Sequence, residues 1–221
     1  MKREKLEYDL LRTPASMPGN LFIVCAPSGG GKTSIVKSVL ERDRALKLSI
    51  SYTTRPARPG ESEGVHYHFV DEKEFGRLGA AGAFLERAVV HGYSYATSRL
   101  WLEAEMQRGN DVLLEIDVQG AEQVRKLILD AIGIFIMPPS WELLKVRLVG
   151  RGQDAPQVIE RRLEAARSEM KRVDEFDYVI INNDFAAAVE DFLAVVRAGR
   201  LRCAKQRVRH PEIFQNLLEL D

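Results

Sequence analysis

The segment from Ala26 to Thr33 reads APSGGGKT. It lies between a short apolar run, Leu21 to Ala26, and a segment with the apolar spacing of a helix, Thr33 to Leu40. Strand, glycine-rich loop and helix, in this order, form the context in which the pattern GxxxxGK(S/T) binds phosphate. Backbone N–H groups of such a loop face an anion, and the following helix adds the positive end of its dipole. The segment therefore predicts a site for nucleotide phosphates.

Ala26 departs from the pattern, because the first position of the loop is normally glycine. Pro27 restrains the preceding residue to extended backbone, where alanine is comfortable, so the departure is mild. Lys32 is expected to reach the β- and γ-phosphates of ATP, and the hydroxyl of Thr33 suits Mg²⁺. The predicted ATP site of the loop comprises Ala26, Pro27, Ser28, Gly29, Gly30, Gly31, Lys32, Thr33 and Ser34.

Apolar segments rich in β-formers alternate with segments of helical periodicity along the chain. The predicted strands are LFIVCA (21–26), LKLSISYT (46–53), DVLLEID (111–117), AIGIFIM (131–137) and DYVIIN (177–182). From Val65 to about Tyr95 the pattern changes to short strands around a helix, Asp71 to Leu78. This alternation predicts an α/β fold with a parallel central sheet and an inserted mixed subdomain. Residues up to about Asn20 are predicted to be a short extension, and those from about Ala186 to be helical to near the end.

Charge and cysteine content argue against several classes of partner. Thirty-two basic residues balance thirty-two acidic ones, for a net charge of +0, so sequence-independent binding of nucleic acid is not expected. No apolar run is long enough to cross a membrane. The two cysteines are too few for a disulfide framework, which favours a reduced, cytoplasmic setting.

Several further motifs resemble the signature of guanylate kinases, in the same order and spacing. They are SYTTRPARPGE (51–61), FLE (84–86), YATS (95–98), EIDVQGA (115–121) and RLVGRGQD (147–154). The resemblance runs from about Leu21 to Val196. It implies transfer of the γ-phosphate of ATP to GMP, and to dGMP, with Mg²⁺ as cofactor and either a monomer or a homo-oligomer as the assembly.

The same resemblance implies a P-loop kinase fold in residues 21–199, with a GMP-binding subdomain at about 53–98 and a helical lid at about 147–165. A C-terminal helical segment, 200–221, would follow. Residues implied to hold the GMP phosphate are Ser51, Arg55, Arg58, Tyr67 and Tyr95. Glu86 and Thr97 would read guanine, since a carboxylate can accept from N1–H and N2–H together while a hydroxyl pairs with O6. Asp117 would lie nearby, with contact to Mg²⁺ through water.

Catalysis by such an enzyme requires alignment and charge neutralisation more than a strong base. The residues expected to act in catalysis are Lys32, Arg55, Arg147, Arg151 and Arg162. Arg147 and Arg151 are also implied to close over the ATP phosphates, and Asn182 to contact adenine. Glu115 and Asp117 are two apart on a predicted strand and should share one face. Glu115 stands where many guanylate kinases carry Asp, and GYSYATS departs from the commoner NYYGTS while keeping Tyr95 and Thr97.

Two other functions remain open from the residues alone. One is a guanylate-kinase-like interaction module without turnover, although Lys32, Thr33 and the arginines argue for retained ATP binding. The other is a related kinase of a phosphorylated sugar, which would not need Glu86 and Thr97. His66 and His68 have no third metal ligand spaced nearby, so a structural role is expected for them. The basic segment 200–210 is expected to be a solvated helix face or a subunit contact.

Overall fold

A computed structural model of the chain describes residues 17–90, 92–149 and 156–218. The strands, in chain order, are β1 (Leu21–Cys25), β2 (Leu46–Leu48), β3 (Tyr52–Thr53), β4 (His68–Phe69), β5 (Phe84–Val90), β6 (Tyr93–Ser98), β7 (Asp111–Glu115), β8 (Ile132–Met137) and β9 (Tyr178–Ile181). The helices are α1 (Lys32–Arg42), α2 (Glu72–Ala80), α3 (Arg99–Gln107), α4 (Val118–Leu127), α5 (Trp141–Val149), α6 (Pro156–Met170), α7 (Phe185–Arg200), α8 (Cys203–Arg209) and α9 (Pro211–Leu218).

Strand β1 lies at the centre of a parallel five-stranded sheet, in the order β2-β7-β1-β8-β9. All five residues of β1 are buried. Leu21, Ile23 and Cys25 belong to the core on one face, while Phe22 and Val24 belong to the core on the other. This alternation explains why the strand is apolar throughout, since helices cover both faces of a parallel sheet. The predicted α/β fold with a parallel central sheet is confirmed.

A second, mixed sheet has the order β4-β3-β6-β5 and packs against helix α2. Asp71 caps this helix by accepting from the N–H of Glu74, so the helix begins one residue later than predicted. Ala96, which stands in place of the commoner glycine, is fully buried with Phe75 and Phe84 in the small core of this subdomain. Alanine in place of glycine at position 96 therefore adds a methyl group to this core.

The prediction of a single strand over 46–53 is wrong. Residues 46–48 pair with β7 in the central sheet, whereas Tyr52 and Thr53 pair with β6 and β4 in the second sheet. The N–H of Ser49 still bonds to Leu113, but the carbonyl of Ser51 already accepts from His68 in the second sheet. A continuous β-pattern in a sequence does not show which strand each half will pair with. The change of sheet could therefore not be predicted from the sequence.

The C-terminal region is helical, as the sequence predicts, and turns at 201–202 and at His210 divide its described residues into three helices. Three of its basic side chains are directed to partners within the same chain. Arg200 and Arg209 pair with the buried Asp111, and Lys205 is buried against the carbonyls of Met17 and Gly19. An intramolecular ion network therefore takes up part of the basic segment, while Arg202 and Arg207 stay exposed, as expected of a solvated face.

The N-terminal residues that the structure describes belong to the packed core. Met17 is buried in the core on one face of the central sheet, and Asn20 donates to Asp111 at 2.8 Å from both its backbone and its side chain. Residues 1–16 of the predicted extension and 150–155 of the predicted lid lie outside the described residues. No helix in the described ranges has the length and apolar character needed to cross a membrane.

Candidate active site

The glycine-rich loop connects the end of β1 to the start of α1, as its sequence predicts. Gly29 and Gly31 have φ of +84° and +93°, in the left-handed region that glycine adopts without strain. A Cβ on Gly31 would lie only 2.4 Å from Nδ2 of Asn182, so glycine is required there for space as well. The backbone of the loop therefore favours glycine at positions 29 and 31.

A cavity of about 270 Å³, the loop cavity, lies over this loop. It is lined by every predicted ATP-binding residue from Ala26 to Ser34, together with Val90, Asp117 and Glu169. Among these residues, the Nζ of Lys32 donates to the carbonyl of Ile116 at 3.0 Å. The cavity therefore gathers backbone N–H groups, a helix N-terminus and an ammonium group around one space, which suits an anion.

The hydroxyl of Thr33 donates to Oε1 of Glu115 at 2.6 Å. Glu115 ends β7, whose register with β1 sets it beside Val24 and so beside the loop. Asp117 lies beyond the strand, contrary to the prediction that it shares a strand face with Glu115. Its side chain caps α4 by accepting from the N–H of Gly120 at 2.9 Å. The turn after β7 nevertheless brings both carboxylates to the same site.

A neighbouring cavity of about 190 Å³, the tyrosine cavity, lies between the two sheets. Its lining includes five residues predicted for GMP: Glu86 and Tyr95 from the second sheet, and Ser51, Tyr67 and Asp117 from segments next to strands. Lys32, Val90 and Asp117 line both cavities. The two cavities are therefore adjacent, and Lys32 lies at their boundary.

Glu86 and Thr97 form a buried pair beside the tyrosine cavity. They are opposite each other in the β5–β6 ladder, and the Thr97 hydroxyl donates to Oε1 of Glu86 at 2.8 Å. Burial raises the pKa of the Glu86 carboxyl to about 7, against the opposing effect of the Thr97 hydrogen bond. A Cβ at Gly120 would lie 2.8 Å from Oε2 of Glu86, so the missing side chain of Gly120 leaves room for this carboxylate.

Arg55 is held in a defined position by its neighbours. Its guanidinium donates to Oε1 of Glu61 at 2.8 Å and lies 5.3 Å from the ring centre of Tyr67. The hydrogen bond to Glu61 raises the pKa of Arg55, and a hydrogen bond to Tyr95 adds to this effect. The other oxygen of Glu61 accepts from the backbone N–H of Arg58 at 2.8 Å, so this glutamate shapes the loop that carries both arginines.

Three further residues with predicted roles lie around the glycine-rich loop: Arg147, Arg162 and Asn182. Arg162 donates to the hydroxyl of Ser28, with Nη2 at 2.8 Å. The amide of Asn182 donates to the carbonyl of Gly30 at 2.8 Å, so it braces the loop. Arg147 lies against Asn182, and its buried Nη1 has no hydrogen-bond partner among the residues that the structure describes. Arg151 lies outside the described residues.

The two histidines discounted as a metal pair have other partners. His66 Nδ1 accepts from the N–H of Ser62, and His68 Nδ1 lies 2.9 Å from Glu63. In the described ranges, no group of three or more His, Cys, Asp or Glu side chains could hold a metal ion.

Comparison with known proteins identifies the family. The sequence profile of the guanylate kinase family matches residues 18–198. The chain belongs to the guanylate kinase family. It is 57% identical over 205 residues to the guanylate kinase of Aromatoleum aromaticum, which covers 93% of this chain and the whole of that protein. It is 55% identical over 202 residues to the guanylate kinase of Dechloromonas aromatica, covering 91% of this chain and the whole of that one.

A solved structure agrees with this assignment. The crystal structure of guanylate kinase from Anaplasma phagocytophilum matches with a TM-score of 0.76 at 32% identity, over 92% of this chain and 97% of that one. Membership of the guanylate kinase family confirms the predicted P-loop kinase fold and the predicted activity, phosphoryl transfer to GMP. The interaction module and the sugar-phosphate kinase are not favoured.

Two residues of this guanylate kinase site escaped the sequence reasoning. Glu61 ends the motif 51–61 but received no role of its own, although its ion pair with Arg55 positions that arginine. Glu169 contacts the glycine-rich loop from 141 residues away, where its Oε2 accepts from the N–H of Ser28 at 3.2 Å. No local pattern marks such a long-range contact.

Proposed function

We propose that this guanylate kinase family member holds the ATP phosphates in the loop cavity and GMP in the tyrosine cavity. The observation that carries the proposal is the shared boundary of the two cavities at Lys32, Val90 and Asp117. Phosphoryl transfer needs donor and acceptor oxygens in line and close together. Substrates in adjacent cavities would meet at this boundary, where the Lys32 ammonium stabilises the negative charge of the transferred group.

In the loop cavity, the N–H groups of the glycine-rich loop would bind phosphate oxygens of ATP. Three arginines, Arg147, Arg151 and Arg162, would add positive charge. The buried Nη1 of Arg147, which finds no acceptor within the described ranges, supports this role, because a buried guanidinium N–H without an acceptor is costly. A phosphate oxygen would satisfy it. Arg162, bonded to Ser28, would turn toward the γ-phosphate, and Arg151 is assigned to the same task from its sequence position. Asn182 would contact adenine, and its hydrogen bond to the carbonyl of Gly30 would also stabilise the loop.

The residues present fit a magnesium ion. Thr33 and Glu115 bring a hydroxyl and a carboxylate oxygen within 2.6 Å of each other, and oxygen atoms are the ligands that Mg²⁺ prefers. Thr33 would hold the ion together with ATP phosphate oxygens, while Glu115, and Asp117 through water, would orient its water ligands. When bound, the ion neutralises charge on the β- and γ-phosphates.

On the GMP side, Glu86 and Thr97 would select guanine. The ionised carboxylate accepts from N1–H and N2–H, and the Thr97 hydroxyl can rotate toward O6. The GMP phosphate would be held by the guanidinium groups of Arg55 and Arg58 and by three hydroxyls, those of Ser51, Tyr67 and Tyr95. Two arginines with fixed forks can grip one phosphate from two sides, and tyrosine donors add no charge.

A substrate panel tests the proposal. ADP release is measured with MgATP and, in turn, GMP, dGMP, AMP and ribose 5-phosphate. We expect turnover with GMP and dGMP and very little with the other two. Turnover of ribose 5-phosphate without turnover of GMP would favour the sugar-phosphate kinase. ATP binding without turnover of any acceptor would favour the interaction module.

A further inference from the structure

A carboxylate of this chain lies beside the glycine-rich loop. Glu169, in the last turn of α6, lines the loop cavity, and its Oε2 accepts from the backbone N–H of Ser28 at 3.2 Å. Loop N–H groups of this kind are the donors that bind phosphate oxygens. The Glu169 carboxylate therefore uses a donor of the type that nucleotide phosphates require.

Helix α6 is docked onto Ser28 at two points. Arg162, seven residues before Glu169 and so on the same face, donates to the Ser28 hydroxyl from Nε at 3.2 Å and Nη2 at 2.8 Å. Between them, Ala166 is fully buried against Leu144 and Leu148 of α5. This packing fixes the helix over the loop, so the position of Glu169 follows from the fold.

The carboxylate is poorly solvated at this position. Burial raises the pKa of Glu169, and Asp117 acts in the same direction, while the Ser28 N–H and the Lys32 ammonium oppose them. A nucleotide brings several negative oxygens into the same cavity. A like charge at close range opposes their binding, because a partly buried site screens charges less than bulk water does.

We propose that Glu169 is a placeholder anion: it holds the Ser28 N–H while the loop is empty, and the phosphates of ATP must displace it. Glu169 is then a positioning residue that acts through Ser28, keeping the loop ordered before ATP arrives and weakening ATP binding in return. The inference rests on the proposed assignment of the loop cavity to ATP.

Substitution of Glu169 separates its charge from its shape. Glu169→Gln keeps the size and one acceptor oxygen, and Glu169→Ala removes both charge and acceptor. Glutamine and alanine are both good helix formers, so α6 is expected to persist in each. Glu164→Gln is the matched control. Glu164 is exposed on the same helix, and this substitution changes the net charge by the same amount.

Isothermal titration gives the dissociation constants for a non-hydrolysable ATP analogue and for tripolyphosphate, with Tm recorded for each variant. We expect Glu169→Gln to bind both ligands about five-fold more tightly than the wild type, with the same Kd for GMP. The control Glu164→Gln should bind all of these ligands as the wild type does. Tighter binding by Glu169→Ala as well would identify the charge as the cause. Unchanged or weaker binding of both ligands by both variants would overturn the inference. Failure of the wild-type protein to bind the ATP analogue would instead contradict the proposed function.

Discussion

The hydroxyl of Thr97 donates to the carboxylate of Glu86 at 2.8 Å, and both side chains are buried beside the tyrosine cavity. The two residues that would read the base are thus held by each other before GMP arrives. Because they face each other across the β5–β6 ladder, the backbone fixes their separation. Such preorganisation lowers the entropy cost of binding and favours one orientation of guanine.

The raised pKa of Glu86 gives a pH dependence. Only the ionised carboxylate can accept from both N1–H and N2–H, and the pKa in the free protein is about 7. We therefore expect kcat/KM for GMP to rise with pH through about 7 and then level off. The pH profile of Glu86→Gln is the control, because ionisation of the GMP phosphate affects both proteins alike. An identical inflection in both profiles would rule out Glu86 as its source.

The same pKa shift predicts a change in stability. In the folded chain Glu86 retains its proton to higher pH than in the unfolded chain, so the folded state binds more protons between about 4.5 and 7. The free energy of unfolding should fall as pH rises through this window. Urea unfolding of wild type and Glu86→Gln should show a stability difference that moves in favour of the variant as pH rises from 4.5 to 8. A difference that does not change with pH would contradict the shift.

Gly120 should be required for GMP binding. A methyl group at this position would lie 2.8 Å from Oε2 of Glu86, so Gly120→Ala should displace the carboxylate. We expect KM for GMP to rise about ten-fold while the Kd for ATP is kept. Gly76→Ala, in helix α2 with open space around the position, is the control and should leave both values unchanged. Equal effects of the two substitutions on GMP would show that the contact with Glu86 is unimportant.

Lys32→Met tests the role in phosphoryl transfer of the lysine at the boundary of the two cavities. Its ammonium should matter most as charge moves between the β- and γ-oxygens, so kcat should fall by about 100-fold or more. Lys37→Met removes an exposed positive charge from the same helix and should retain normal turnover. Near-normal turnover by folded Lys32→Met would refute the proposed role of the lysine.

The structure also shows how far the sequence could predict it. The loop, its flanking strand and helix, and the parallel sheet follow local patterns, so they were predictable from residue order. The change of sheet after Leu48 was not, because it depends on which strands become neighbours. The contacts of Asp111 with Arg200 and of Ser28 with Glu169 join residues about 90 and 140 positions apart. Such contacts leave no trace in local periodicity.

The candidate site divides in the same way. The ATP loop was predictable from residue chemistry and context, whereas the assignment of Glu86 and Thr97 to guanine came only through the resemblance to guanylate kinases. A glutamate on a strand is ordinarily a surface charge, and nothing local marks this one as buried. Its environment is created by α4, which approaches closely because Gly120 has no side chain.

The most direct test of the central claim, that Glu86 reads the base of an acceptor held beside the ATP loop, is the comparison of GMP with AMP. The rate of ADP release gives kcat/KM for both nucleotides in wild type, in Glu86→Gln and in Glu72→Gln, an exposed control in the same subdomain. Adenine offers a lone pair at N1 and has no N2 amine, so the wild type should prefer GMP by about 100-fold or more. Glu86→Gln should lose most of its activity with GMP and little with AMP, while the control keeps the wild-type preference. Equal losses with both nucleotides, or no loss with GMP, would contradict the account.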